Sequence, residues 1–354
     1  MTKPLCVCVA GGTGGHINAA LSVGEAFKEK NHDVLYLTGK RHLDYKLFQG
    51  ESAVHLDSRP LRTNNPLTLV KNLVLNLKSF IGILLLFLKR RPKVVVGAGG
   101  YVCGPTLMAG FILGVPVFII EQNAVMGLTN KLLGWISKTI FVHFTKTKGL
   151  SEKLKRKVKV VGNPTRKSIQ SVQHKPIHLP LKILVFGGSL GAKQINNIIF
   201  DLIKDASITD LEIHHQIGVQ METPAAAHPS THYLPMTYID HIQKEYEWCD
   251  IIIARSGAST VSELAIIKKP TLIFPFPQAT DNHQFFNAQI FKEESDFSVE
   301  VLDPKLSHEA SLERVKEFIA KAKRGELQLT QTPVSRNQAC ELIIKEIENH
   351  VRTS

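Results

Sequence analysis

The chain is poor in the features that would settle its class at a glance. Its 354 residues contain no Asp-x-Asp, so no paired carboxylates stand ready to hold a divalent ion on a nucleotide diphosphate, and no metal or other cofactor is expected. There is no Walker A sequence, because Gly187 to Lys193 lacks both the spacing and the Lys-Ser/Thr ending. Neither glycine-rich turn has the G-x-G-x-x-G spacing. No acidic residue closes the second strand of either half, where Leu37 is followed by Thr38-Gly39 and Gln216 by Ile217-Gly218, which argues against a dinucleotide. The cysteines number five (Cys6, Cys8, Cys103, Cys249 and Cys340), an odd count whose spacing fits no disulfide or zinc framework and suits small core residues in a reducing cytoplasm. Aromatic residues are only 7% and no RNA-binding signature occurs, so nucleic acid is not expected as a partner. Acidic residues are outnumbered 31 to 43 by Lys and Arg, leaving a formal charge of +12 that points to phosphorylated substrates or acidic lipid headgroups. Long apolar runs are also missing. The longest, Phe80 to Leu88, is about half of what spans a bilayer, and the first glycine turn arrives too early for a signal peptide.

What is present is a phrase used twice. Leu5 to Val9 runs into Ala10-Gly11-Gly12-Thr13-Gly14-Gly15-His16, and Leu181 to Phe186 runs into Gly187-Gly188-Ser189-Leu190-Gly191-Ala192. An apolar run, a glycine turn and a helical stretch begin a Rossmann-like half, so two such domains with parallel sheets facing a cleft are expected. Strands are predicted at 5–9, 34–37, 53–56, 93–97, 116–120 and 139–143, then at 182–186, 211–216, 250–254 and 271–274. Helices are predicted near 192–204, 258–267, 283–292 and 336–350. The domains expected are 1–163, 164–335, and a terminal helix in 336–354 that packs back on the first, with Pro164 to Pro180 as a hinge.

The glycine turns let backbone N–H groups and a helix N-terminus approach an anion, although such turns also serve merely to connect strand to helix. His16, where the first helix should begin, is either a solvated histidine or a general base kept neutral by the positive helix end. Residues 250–264 run from a buried strand through Arg255, Ser256, Gly257, Ala258, Ser259 and Thr260 to Glu263. The donors suit a diphosphate, and Glu263 is either a surface carboxylate or a bidentate acceptor for two ribose hydroxyls. Pro275 to Gln284, with Asn287, crowds amides and a carboxylate at a strand end, as a sugar site requires.

Taken together these stretches resemble the MurG glycosyltransferases along nearly the whole chain. The resemblance is carried in order by Gly11 to His16, Gly99-Gly100-Tyr101-Val102-Cys103-Gly104-Pro105, Glu121-Gln122-Asn123, Gly127 to Lys131, and Val161 to Arg166. It continues through Gly187-Gly188-Ser189 with Gly191-Ala192, Arg255 to Glu263, and Asp281 to Gln284 with Asn287-Ala288. It implies a GT-B fold. It also implies transfer of N-acetylglucosamine from UDP-N-acetylglucosamine to an undecaprenyl-diphosphate-linked muramyl-pentapeptide, in peptidoglycan synthesis. By that resemblance Glu263 holds the ribose, the backbone at Ile239 meets the uracil, and Arg166, Ser189, Ala258, Ser259 and Thr260 surround the diphosphate. His283, Gln284 and Asn287 lie near the sugar. Gly11, Gly12, Thr13, Gly14, Gly15, Gly99, Gly100 and Tyr101 would receive the acceptor's diphosphate, with His16 and Asn123 at its hydroxyl. The chain departs from the family at Ile17-Asn18-Ala19-Ala20, at Ile120 where the family has histidine, and at Leu190 where it has glutamine.

Residues 66–91 carry more apolar side chains than one buried face needs, flanked by Lys71, Lys78, Lys89, Arg90 and Arg91. They suit either a core helix with a basic end or a face resting on an anionic bilayer, at the cytoplasmic side of a bacterial inner membrane. Other wall-building enzymes would be partners there. Two other readings remain: a UDP-N-acetylglucosamine 2-epimerase of related fold, and a non-catalytic membrane platform that binds a sugar nucleotide.

Overall fold

A computed structural model of the chain describes residues 3–61, 63–171, 177–188, 191–218, 228–229, 231–329 and 338–352. It divides into two α/β units, one of residues 1–166 with 337–354 and one of residues 167–336.

The first unit comprises β1 (Leu5–Val9), α1 (Gly14–Glu29), β2 (Asp33–Thr38), α2 (His42–Leu47), β3 (Ala53–His55), α3 (Pro66–Arg90) and β4 (Val94–Gly97). It continues with α4 (Cys103–Ile112), β5 (Val117–Glu121), α5 (Leu128–Leu133), β6 (Ile140–Val142), α6 (Glu152–Lys155) and β7 (Val158–Val160). All seven strands are parallel, in the order β3-β2-β1-β4-β5-β6-β7. A parallel sheet covered on both faces needs strands that are apolar throughout. Alternation then divides β1 between two cores. Cys6 and Cys8 pack on one face beside Ile17 and Phe27 of α1, and Val7 and Val9 pack on the other beside Ile83 and Phe87 of α3. Burial pushes the Cys6 and Cys103 thiols up to about 12, which leaves them as inert apolar fillers.

The second unit comprises β8 (Leu181–Phe186), α7 (Lys193–Leu202), β9 (Leu211–Gln216), β10 (Thr231–Met236), α8 (Ile242–Trp248), β11 (Ile251–Ala254) and α9 (Ala258–Ile267). β12 (Thr271–Ile273), α10 (His283–Glu294), β13 (Val299–Val301) and α11 (His308–Lys323) complete it. Its six parallel strands run β10-β9-β8-β11-β12-β13. The last helix, α12 (Ala339–Arg352), belongs to the first unit. Ile343, Ile344 and Ile347 enter the core beside α1, and Glu346 ion-pairs with Lys159.

Three of the four edge strands, β7, β10 and β13, are not flagged by the sequence pattern. An edge needs no continuous apolar run. β10 even carries Pro235, which an edge strand tolerates because one side of its backbone has no ladder to complete.

Helix α3 is, by length and composition, apolar enough to cross a membrane. Its connectivity is that of a crossover: it joins β3 to β4 within one sheet, and Ile83 and Phe87 close the core over that sheet. The opposite face is bare. Leu67, Val70, Val74, Leu77, Ile81, Leu85 and Leu88, spaced three or four apart, are each at least half exposed. α3 packs on α4 and α4 on α5, where Phe111, Ile112, Leu128 and Leu132 are exposed in turn.

Candidate active site

In the first unit the two glycine segments meet at the C-terminal ends of β1 and β4. The Gly11 N–H donates to the Gly99 carbonyl at 3.4 Å. The contact is so close that a Cβ on Gly100, whose φ is +90°, would sit 2.1 Å from the Gly11 carbonyl oxygen. Gly14 and Gly15 form the first turn of α1, capped by Thr13, whose Oγ1 accepts the His16 N–H at 3.5 Å. The His16 ring lies against Gly99, and its Nδ1 is 3.4 Å from the Gly11 carbonyl. A carbonyl only accepts, so Nδ1 carries the proton and the basic lone pair falls on Nε2.

Several residues outside the sequence motifs shape this cradle. Asp44, fully buried, accepts the Gly12 N–H at 3.4 Å, the Arg41 N–H at 2.9 Å and the Thr38 hydroxyl at 3.4 Å. Arg41 donates to the Gly12 carbonyl at 3.1 Å, and its guanidinium lies 5.2 Å from the centre of the Tyr101 ring. Burial, with the Asp44 charge nearby, raises the Tyr101 phenol above its ordinary range. The Tyr101 ring edge lies against Gly12, and its neutral hydroxyl, beside the Arg41 cation, lies against Gly39.

Asn123 is held by a buried carboxylate. Glu121 accepts the Asn123 N–H at 3.0 Å and its Nδ2 at 3.2 Å on one oxygen, and Gly127 N–H and Asn130 Nδ2, both at 2.9 Å, on the other. Gln122 ties the same loop to the Ala98 carbonyl, next to Gly99. The loop thus rests against the His16 cradle. Ile120, just before that carboxylate, is buried on β5 in the apolar core with Phe118 and Phe141. Ile17, Ala19 and Ala20 are likewise core residues of α1.

In the second unit three helices begin beyond the ends of β8, β11 and β12 without a side-chain cap: α7 at Ala192, α9 at Gly257 and α10 at Asn282. Uncapped first-turn N–H groups, here including those of Ala258, Ser259 and Thr260, are what an anion would complete. Glu263, buried on α9, accepts the Tyr246 hydroxyl at 2.9 Å, which fixes its orientation. Arg255 holds the neighbouring segment through one nitrogen, Nη1. It spans Gln194 and the Phe274 and Pro275 carbonyls, each at 3.1 Å, and so pins the 274–276 segment. Asn287 donates to the Ser256 carbonyl at 3.0 Å, the Ser256 hydroxyl donates to the Gln284 carbonyl at 2.8 Å, and Gln284 accepts the Phe276 N–H at 3.1 Å. The start of α10 is thereby tied to both neighbouring turns. His283 bonds the Thr280 carbonyl at 2.7 Å, and Asp281 and Asn282 both have φ of +53°. Two consecutive left-handed non-glycine residues are costly, and such backbone gathers at ligand-binding turns.

Behind the second glycine turn, buried His215 donates from Nε2 to Asn196 Oδ1 at 3.1 Å and accepts the Tyr233 hydroxyl at 3.0 Å. Asn196 Nδ2 donates to the Ile217 carbonyl at 2.8 Å. Burial lowers the His215 imidazole to about 3, so it is a neutral strut. Ile239 is buried between β10 and α8, and Arg166 ends the first unit. Ser189 and Leu190 lie outside the described residues.

The match to known proteins covers both units. Residues 6–142 match the glycosyltransferase family 28 N-terminal domain, and residues 182–346 match the family 28 C-terminal domain. The UDP-N-acetylglucosamine–N-acetylmuramyl-(pentapeptide) pyrophosphoryl-undecaprenol N-acetylglucosamine transferase of Francisella philomiragia is 37% identical over 305 residues, 80% of each chain. That of Shewanella denitrificans is 34% identical over 301 residues, 81% of each. The crystal structure of Acinetobacter baumannii MurG superposes with a TM-score of 0.73 at 27% identity, covering 98% of this chain and 99% of that one. The UDP-GlcNAc 2-epimerase of Neisseria meningitidis, with a TM-score of 0.64 at 14% identity over 98% and 100%, shares the fold alone. The two parallel-sheet units, the identity along most of the chain and the superposition agree, and the chain belongs to the MurG family of GT-B glycosyltransferases.

Proposed function

We propose that the chain transfers N-acetylglucosamine from UDP-N-acetylglucosamine to the 4-hydroxyl of undecaprenyl-diphosphate-linked N-acetylmuramyl-pentapeptide, with inversion at the sugar. The observation that carries this reading is the unequal equipment of the two anion cradles. The first has a histidine whose basic nitrogen is set by Gly11; the second has uncapped helix starts and a tyrosine-held carboxylate. A lipid diphosphate suits the first and a nucleotide diphosphate the second. His16 Nε2 takes the acceptor hydroxyl's proton as its oxygen attacks the anomeric carbon, the bond to UDP breaks, and the departing diphosphate charge is met by the α9 and α7 N-termini. Asn123, fixed by Glu121, orients the acceptor. Glu263 holds the ribose, Ile239 the uracil, and His283, Gln284 and Asn287 frame the sugar pocket. Arg166 and Ser189 contribute to the diphosphate.

The exposed stripe of α3, with its lysines and arginines, supports peripheral docking on an anionic bilayer, at the cytoplasmic face of the inner membrane. An epimerase has no use for such a stripe.

The decisive assay follows UDP release from labelled donor and a short-chain lipid acceptor. Acceptor-dependent release is expected. It should persist in excess chelator and be faster on anionic than on zwitterionic vesicles. Donor binding without acceptor-dependent release would instead favour the non-catalytic platform. Glu263→Ala is expected to weaken UDP binding by about tenfold or more, the value of one or two charged hydrogen bonds. Calorimetry giving unchanged affinity would remove the ribose assignment.

A further inference from the structure

Beside the edge strand β3 the first unit has an open cavity of about 310 Å³. Its walls are chiefly apolar, with Val54 and Leu56 from the strand side and Ile83 and Leu86 from α3. Gly82 of α3 completes the lining, and a Cβ placed on it would meet nothing within 4 Å. The rim is cationic. Asp57 pairs with Lys40 at 2.7 Å, and the nearby positive charges of Lys78 and Arg59 help hold its carboxyl below the usual range. On one side the cavity adjoins the bare apolar stripe of α3 through Lys78 and Gly82. On the other it connects to the acceptor cradle. His55, in its lining, bonds the Gly39 carbonyl at 2.8 Å and stacks on Tyr45 at 4.0 Å. Gly39 in turn lies against Tyr101 and Asp44, the residues that shape the turn at Gly12.

A ligand with an anionic head on the glycine cradle and a hydrocarbon tail directed toward the membrane would therefore pass this cavity. We propose that the cavity is a subsite for the isoprenoid chain of the acceptor, receiving the units nearest the diphosphate, while the cationic rim keeps the phosphate end outside. This assignment rests on the transferase reading for its substrate, but not for its geometry. Cavity, rim and cradle all belong to the first unit. The chain fits better than a headgroup because the walls offer no donors comparable to those of the glycine turns, and burial of branched hydrocarbon is what such walls reward.

The test fills the cavity from the helix side with Gly82→Phe, which has open space and gains helix propensity. Gly82→Ala is the control that stiffens the helix without filling the space. In a binding arm, geranylgeranyl diphosphate is compared with inorganic diphosphate by calorimetry. The native chain is expected to prefer the isoprenoid form by about tenfold, which requires roughly two buried methylene-sized groups. Gly82→Phe should erase the preference and Gly82→Ala should keep it. In a transfer arm, the ratio of kcat/KM for a geranylgeranyl over a methyl acceptor, which lacks the units the cavity receives, should fall by a similar factor in Gly82→Phe. Equal binding of the two diphosphates by the native chain, or an unchanged ratio in Gly82→Phe, would overturn the subsite. So would an equal loss by Gly82→Phe of binding to anionic vesicles that contain no isoprenoid, since the effect would then belong to membrane docking. A native chain that prefers geranylgeranyl diphosphate yet transfers to neither acceptor would keep the subsite and sink the transferase reading.

Discussion

Replacing His16 by alanine should lower kcat by about 10²- to 10⁴-fold, the usual worth of a positioned general base, and leave UDP affinity at its native value. The expectation follows from the local geometry. The ring sits in the first turn of α1, packs on Gly99, and has Nδ1 committed to the Gly11 carbonyl, so Nε2 is the nitrogen able to take a proton. Single-turnover transfer and UDP calorimetry separate the two quantities. The acid limb of the native kcat/KM profile should also vanish in the variant. A variant that turns over normally, or that retains that limb, would exclude His16 as the base.

The second large effect is expected at a residue without a side chain. Gly100→Ala would place a Cβ 2.1 Å from the Gly11 carbonyl oxygen on a backbone with φ of +90°. Left-handed strain and overpacking against backbone together cost about 2–4 kcal/mol. The turn can relieve the clash only by parting from Gly11, which moves the carbonyl that sets the His16 tautomer. Transfer should fall more than about tenfold, because 1.4 kcal/mol of misplacement already does that. UDP binding, which the proposed function assigns to the second unit, should remain. Chemical denaturation and acceptor-dependent UDP release measure the two consequences. Native stability with native transfer would show that the contact is dispensable.

These two residues were legible in the sequence because they belong to short motifs on strand-to-helix turns. The strands beside them were legible for a related reason, since β1, β4 and β5 are buried on both faces and read as unbroken apolar runs. Legibility fails where partners are distant or edges are free. Asp44 serves Gly12 from 32 residues away, and Tyr246 serves Glu263 from 17. Neither belongs to a motif, and nothing in the local pattern of α2 or α8 marks them. Arg255 was legible as a cation near a phosphate site, but not the distant partners of its Nη1, two carbonyls and Gln194, because a buried arginine needs such partners and no local pattern marks them. Thr13 was legible as a phosphate ligand, and the structure gives its hydroxyl the prior task of capping α1.

The return of α12 to the first unit bears on how the chain matures. Residues 167–336 form a continuous segment whose core needs nothing from elsewhere in the sequence, so on a ribosome that unit can close as soon as it has emerged. The first unit is made earlier but completed later, because Ile343, Ile344 and Ile347 fill the face of the sheet beside α1. Until α12 is synthesised, that face is uncovered in addition to the stripe of α3, which stays bare in the folded unit. The nascent chain is therefore most exposed to aggregation while α12 is still unmade, and the unit begun before the second is completed after it.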